Sequence, residues 1–293
     1  MRLVVQGITA PEQLRHIAAL CGNPQPAALS AQAYSLRADS QRHAEISAYC
    51  LAQSIDCAWV PNALTLDHVG LVVMDMDSTL IGIETIDEIA DLQGLRAEVA
   101  AITEQAMRGE IDYAQSLRQR VALLAGEDES ALWRVYDERL ALNPGAETLL
   151  AELRRRGIKT LLVSGGFDFF TSRLKERLGL DYAAANTLEI VGGKLTGRVL
   201  GEIIDAQAKA DWLNRVRGEL GLALGQVVAI GDGANDLKML AAAGFGIAYH
   251  AKPIVRAQAD CALNFAGLDG VLHLLAGHPA PTGRREARQM DCA

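Results

Sequence analysis

The 293 residues, half of them apolar, are more than one small domain needs and enough for a large core with a smaller companion. Acidic side chains outnumber basic ones 36 to 28, a formal charge of −8 with no basic stripe, so a nucleic-acid partner is not expected. No apolar run reaches about 18 residues and no leader-like pattern opens the chain, so the reading is a cytoplasmic protein with no membrane partner.

Residues 1–66 read as a small α+β unit. Leu3-Val4-Val5 is a short apolar run. Pro11 opens a helical pattern through Leu14, Ile17 and Leu20 that stops near Gly22. Ala33–Leu36 alternates weakly, a second helix is expected over about 41–54, and Cys57-Ala58-Trp59-Val60 suits another strand. The outline is β-α-β-α-β, with one strand between the helices. Pro61-Asn62-Ala63 and Asp67-His68 mark a linker. Cys21, Cys50, Cys57, Cys261 and Cys292 are scattered without CxxC spacing and read as free thiols.

Gly70–Met74 is a continuous apolar run, as a strand buried on both faces requires. Residues 84–142 hold helical periodicity without a convincing strand. Asn143-Pro144-Gly145 precedes a helix with Leu149, Leu150 and Leu153 on one face, ended by Gly157. Ile158–Val163 is a second buried strand, followed by Ser164-Gly165-Gly166 and a helix capped by Gly179. Residues 190–195 read as a hairpin through Gly192-Gly193. Val227–Ile230 is a third buried strand, closed by Gly231-Asp232-Gly233; a helix over 235–243 and a strand over 245–248 follow. Alternating strands and helices call for an α/β doubly wound parallel sheet, formed by 67–83 and 143–276, with 84–142 inserted after its first strand as a helical cap. Residues 277–293 read as a loose tail.

Three strand ends carry chemistry. The first ends in Asp75-Met76-Asp77-Ser78-Thr79; alternation along an extended chain would put the two carboxylates on one side, where a cation can hold them together. The second ends in Ser164-Gly165-Gly166, a hydroxyl and bare amides suited to a phosphate oxygen. The third ends in Gly231-Asp232-Gly233-Ala234-Asn235-Asp236, which offers a further metal carboxylate. Each has a plain alternative when it stands alone: an Asp-rich turn, an ordinary Ser-Gly turn, and helix-capping roles for Asn235 and Asp236. Lys209 alone would be a solvated surface residue. Together they supply what metal-assisted phosphoryl transfer needs.

At these residues the chain resembles the haloacid-dehalogenase superfamily, and within it the phosphoserine phosphatase family. Glu84–Ala90, Met107–Glu110, Ser116–Val121, Val163–Asp168 and Gly231–Asp236 carry the narrower likeness, which covers about residues 70–276. The resemblance implies a phosphatase acting on O-phosphoserine with Mg2+, in serine biosynthesis. It implies Asp75 as nucleophile and Asp77 as acid and base. It implies Asp75, the Asp77 main-chain carbonyl and Asp232 as metal ligands. Ser164, Gly165 and Lys209 would bind phosphate, and Glu84 and Arg120 the substrate's ammonium and carboxylate. Met107 and Tyr113, the latter often Phe in the family, would wall the pocket. Asn235 and Asp236 would support the phosphate and metal. Glu84 could otherwise be a charge at a helix start, and Arg120 a cation on the cap surface. A transferase passing the phosphoryl group to an alcohol such as homoserine, and a non-catalytic sensing protein, are the alternatives. Some family members carry an N-terminal ACT-like domain, and 1–66 is compatible with one, serving dimerisation in preference to serine sensing; a homodimer is the corresponding expectation.

Overall fold

The structure is a computed structural model that describes residues 1–22, 25–37 and 41–277; Cys292 and the tail expected over 278–293 lie outside the described residues. The chain starts with β1 (Arg2–Gln6), α1 (Pro11–Leu20), β2 (Ala27–Ala28), β3 (Ala33–Arg37), α2 (His43–Ala52) and β4 (Asp56–Val60). These strands form an antiparallel sheet in the order β2-β3-β1-β4. The topology is the split β-α-β-β-α-β motif. It corrects the expectation of one strand between the helices: β2 has two residues, too few for alternation to register in a sequence.

Period-two alternation divides this sheet between two cores. Leu3 and Val5 pack beneath the helices with Ile17, Leu36, Ile46 and Cys50. Val4, Ala58 and Val60 join the core of the rest of the chain. The polar residues on that second face are buried too. Arg2 donates to the carbonyls of Pro61, Leu64 and Leu274 at 2.7, 2.6 and 2.8 Å. Asp56 accepts the backbone N–H groups of Asn264, Phe265 and Ala266 at 2.6, 3.0 and 2.8 Å. Gln6 reaches the Gly270 carbonyl and the ring of His273. The expected linker is therefore held by Arg2, with Leu64 and Val69 buried. The small unit is docked on its neighbour.

After β5 (Leu71–Met74) come four helices, α3 (Thr85–Leu92), α4 (Arg96–Met107), α5 (Tyr113–Ala122) and α6 (Ser130–Arg134). Then follow α7 (Ala146–Arg155), β6 (Lys159–Phe167), α8 (Asp168–Leu178), β7 (Tyr182–Val191), β8 (Lys194–Leu200), α9 (Ala206–Glu219) and β9 (Val227–Gly231). The described chain closes with α10 (Leu237–Ala242), β10 (Phe245–Tyr249), α11 (Pro253–Arg256), β11 (Cys261–Leu263) and α12 (Gly270–Leu275). The seven strands lie in the order β11-β10-β9-β5-β6-β7-β8, parallel except for the β7–β8 pair. In β5, Val72 and Met74 face one apolar layer and Leu71 and Val73 the other, which is why the run is apolar without alternation.

Two strands depart from expectation. β6 does not stop at Val163 but continues through Ser164-Gly165-Gly166 to Phe167, with its register to β7 slipping over those residues. The first half of β7, unrecognised in the sequence, pairs with β6; its second half makes the expected hairpin with β8. Gly192 and Gly193 have φ of 60° and 75°, as a two-residue turn of this hand requires.

The inserted helices α3–α6 form the cap. Its base is closed by an Ile81–Leu142 bridge and by Asn143, whose Nδ2 donates to the carbonyls of Thr79 and Ile81 at 2.8 and 3.2 Å. The chain leaves β5 for β6 on one side and returns as β9 on the other. The C-terminal ends of these three strands thus meet at a topological switch point beneath the cap, where open α/β sheets bind ligands.

Candidate active site

The ladder of β5 ends at Met74, and the Asp75 amide still donates to the Ile230 carbonyl of β9 at 3.0 Å. The chain then turns sharply, with Ser78 at φ 56°, ψ −2°. The expected extended alternation from Asp75 to Asp77 is thus replaced by a tight loop, because no neighbouring strand pairs beyond Met74. Both carboxylates still enter one site.

Lys209 is not a surface residue. It lies in the first turn of α9, whose cap Asp205 accepts the Gln207 and Ala208 amides, and it is 1% exposed. Its Nζ sits 2.7 Å from Asp75 Oδ2 and 2.7 Å from Asp236 Oδ1. Burial alone would depress this ammonium, but the carboxylates of Asp236 and Asp75 outweigh it and hold it charged. Asp75 Oδ1 accepts the Met76 amide at 2.6 Å. Desolvation pushes the Asp75 carboxyl well above its usual range, Asp236 adds to this, and Lys209 opposes it.

Asp236 is fully buried, and both its oxygens are engaged. Oδ1 takes Lys209; Oδ2 accepts the amides of Asp232 and Gly233 at 3.1 and 3.0 Å. It therefore fixes the loop that carries Asp232. A Cβ at Gly231 would stand 2.5 Å from the Asp236 carboxyl carbon, so the glycine is needed for this approach. Asp232 Oδ1 accepts the Thr79 hydroxyl at 2.9 Å. Its carboxyl is pushed up to about 6, first by desolvation and then by Asp236. One carboxylate oxygen from each of Asp75, Asp232 and Asp236 lies within 4.8 Å of the others. Carboxylates at that spacing fit a hard divalent cation, and Asp232, with one oxygen on Thr79, is the least engaged of the three.

Ser164 is buried, and its Oγ accepts the Gly166 amide at 2.8 Å and faces Asp77 Oδ2 at 3.3 Å. The other Asp77 oxygen accepts the Thr85 amide, at the start of α3, at 2.9 Å. Desolvation and the nearby Glu84 carboxylate push Asp77 up to about 7, against the Thr85 amide. The two glycines are set by space: a Cβ at Gly166 would stand 2.5 Å from Asp77 Oδ2, and one at Gly165 would collide with the Tyr113 hydroxyl.

From the cap, Tyr113 at the start of α5 donates to the Gly165 carbonyl at 3.0 Å and is raised to about 12, chiefly by burial. Glu84 Oε1 accepts the Ser78 hydroxyl at 2.7 Å; burial raises its pKa, which Ser78 and then Arg120 oppose. Arg120 is half-buried on α5, with Nε 3.4 Å from the Ser116 carbonyl. Asn235 is half-buried in the turn after β9. Met107 ends α4 and is 68% exposed, outside the apolar cluster on which Tyr113 packs.

Of the residues that hold this arrangement, Ser78 and Thr79 belong to the Asp75–Thr79 run and Thr85 to the Glu84–Ala90 segment, whereas Asn186 carries no motif signal of its own; it is buried, with Nδ2 donating to the Gly165 carbonyl and Oδ1 accepting from the Ile204 amide.

Comparison with known proteins agrees with the geometry. The haloacid dehalogenase-like hydrolase family matches residues 72–241. A phosphoserine phosphatase from a Polaromonas species is 54% identical over 217 residues, 72% of this chain and 92% of that protein. The unliganded structure of a probable phosphoserine phosphatase from Vibrio cholerae superposes with TM-score 0.82 at 45% identity, over 94% of this chain and 85% of the other. A phospho-aspartyl intermediate analogue of a phosphoserine phosphatase superposes with TM-score 0.65 at 43% identity, over 70% and 97% of the two chains.

Proposed function

Because the chain belongs to the haloacid dehalogenase-like hydrolases and matches phosphoserine phosphatases across its cap and core, we propose that it hydrolyses O-phospho-L-serine to serine and phosphate with Asp75 as the nucleophile. The observation that carries this reading is Asp75 itself, a nearly buried carboxylate at a strand end with Lys209 at 2.7 Å and Asp232 beside it. A carboxylate and a phosphate dianion repel. The Lys209 ammonium offsets that repulsion and stays in place because Asp236 holds it from the far side.

Asp75, the Asp77 main-chain carbonyl and Asp232 would hold a divalent cation, proposed to be Mg2+, which would neutralise phosphate charge and orient the ester. Ser164 Oγ and the Gly165 amide would receive the phosphate oxygens. Asp75 attacks phosphorus in line with the serine oxygen, forming an aspartyl phosphate while Asp77 passes its proton to that oxygen. Asp77, then ionised, takes a proton from the water that cleaves the acyl phosphate and restores Asp75. Glu84 and Arg120 would read the ammonium and carboxylate of the substrate. Among the described residues no helix is long and apolar enough to cross a membrane.

The test is phosphate release over a panel of phosphorylated amino acids and sugars with Mg2+. Phosphoserine should be preferred, chelation should abolish release, and Asp75→Asn should lose at least about 1,000-fold in kcat. Efficient cleavage of other phosphomonoesters with none of phosphoserine would overturn the proposal.

A further inference from the structure

Ser78 holds a conformation that a serine adopts at a cost. Its φ of 56° lies in the left-handed region, where glycine or asparagine is at ease and other side chains are strained. The strain is maintained from both sides. The Ser78 amide donates to the Ile83 carbonyl at 3.1 Å, and Asn143 anchors the carbonyls of Thr79 and Ile81 in the same loop. A glycine would satisfy that backbone more cheaply, so what it would lack is the side chain. The Ser78 hydroxyl donates to Glu84 Oε1 at 2.7 Å.

Glu84 has little else to fix it. It stands immediately before α3 without capping that helix, and no ion pair within 4.0 Å involves it among the described residues. Its side chain has three free torsions, and the Ser78 hydroxyl is the short contact that selects among them. The loop thereby ties a carboxylate of the cap to the loop that bears Asp75 and Asp77.

We propose that Ser78 is a positioning residue for substrate recognition: its strained turn aims the hydroxyl that holds Glu84 toward the amino group of the substrate. This rests on the reading of Glu84 as the ammonium partner. The effect belongs to specificity, because the Ser78 hydroxyl is engaged by Glu84 and by none of Asp75, Asp77, Ser164 or Lys209.

The experiment compares phosphoserine with 3-phosphooxypropanoate, the same ester without its amino group, in the full-length protein with Mg2+. Ser78→Gly removes the hydroxyl and the strain together, so its melting temperature should not fall. Its KM for phosphoserine should rise about tenfold, the worth of a hydrogen bond to a charged group, while KM for the des-amino ester stays within about twofold. Ser78→Ala, which keeps the strain, should show the same split. Equal losses on both esters, or a loss confined to kcat, would refute the role. Glu84→Gln separates the two claims. If it loses the preference for the amino substrate while Ser78→Gly keeps it, Ser78 is not the positioning group and the Glu84 reading stands. If Glu84→Gln keeps the preference, the Glu84 reading falls and takes this inference with it.

Discussion

Asp77 sits between a cap helix and a core strand, and its proton is what the proposed first step consumes. Burial and Glu84 push its carboxyl up to about 7, so near neutrality it is available in both forms, as a group that must give and later take a proton requires. Its raised value means that the acid form is full at low pH and drains as pH rises through about 7. For phosphoserine, kcat/KM should therefore fall on the alkaline side of about 7, whereas p-nitrophenyl phosphate, whose leaving group departs unprotonated, should show a flatter limb. Asp77→Asn should lower kcat/KM for phosphoserine by about 100- to 10,000-fold and that for the aryl ester far less. Equal losses on both esters would remove Asp77 from the acid role. The sequence made Asp77 legible as a carboxylate near a metal, but not the cause of its raised pKa. That cause is desolvation in the folded site together with the Glu84 carboxylate, and only folding supplies the enclosure.

At the scale of elements, the contact between α5 and the end of β6 is the joint on which cap and core meet over the site. Tyr113 opens α5, which also carries Arg120, and its hydroxyl bonds to the Gly165 carbonyl across a gap that admits no Cβ. Gly165→Ala should push α5 away from the strand and lower kcat/KM by on the order of 10- to 100-fold, since small displacements of positioning groups cost that much. Adding Tyr113→Ala should recover part of the loss, and the two changes should be non-additive. Additive losses would mean that the glycine serves the strand alone. The continuous apolar runs of β5 and β9 and the glycine stops of α7 and α8 could be read directly, because burial on both faces and left-handed caps leave residue-level marks. The first half of β7 could not. Tyr182-Ala183-Ala184-Ala185 has neither β-branched residues nor alternation, and it becomes a strand because β6 offers it a ladder.

At the scale of the whole molecule, the small N-terminal sheet is built into the larger one by polar groups that a surface would not bury. Asp56 gathers three consecutive amides of 264–266, so Asp56→Ala would leave buried donors without partners. It should cost about 3 kcal/mol in urea unfolding. A loss under about 1 kcal/mol would show the docking to be loose. The sequence marked two units and a Pro-containing junction, and Arg2 ties that junction down through the Pro61 and Leu64 carbonyls. Arg2, Gln6 and Asp56 look like ordinary polar positions in strands until their partners, most of them more than 200 residues away, are in view. That separation has a consequence for how the chain is made. Arg2 leaves a ribosome well before its partner, for its contact with Leu274 spans 272 positions. At about 5–20 residues per second, the face bearing Arg2 and Asp56 waits roughly a quarter of a minute to a minute for its partners. During that interval it is open to chaperones and to neighbouring nascent chains, and a transcript truncated before residue 264 would leave it so permanently.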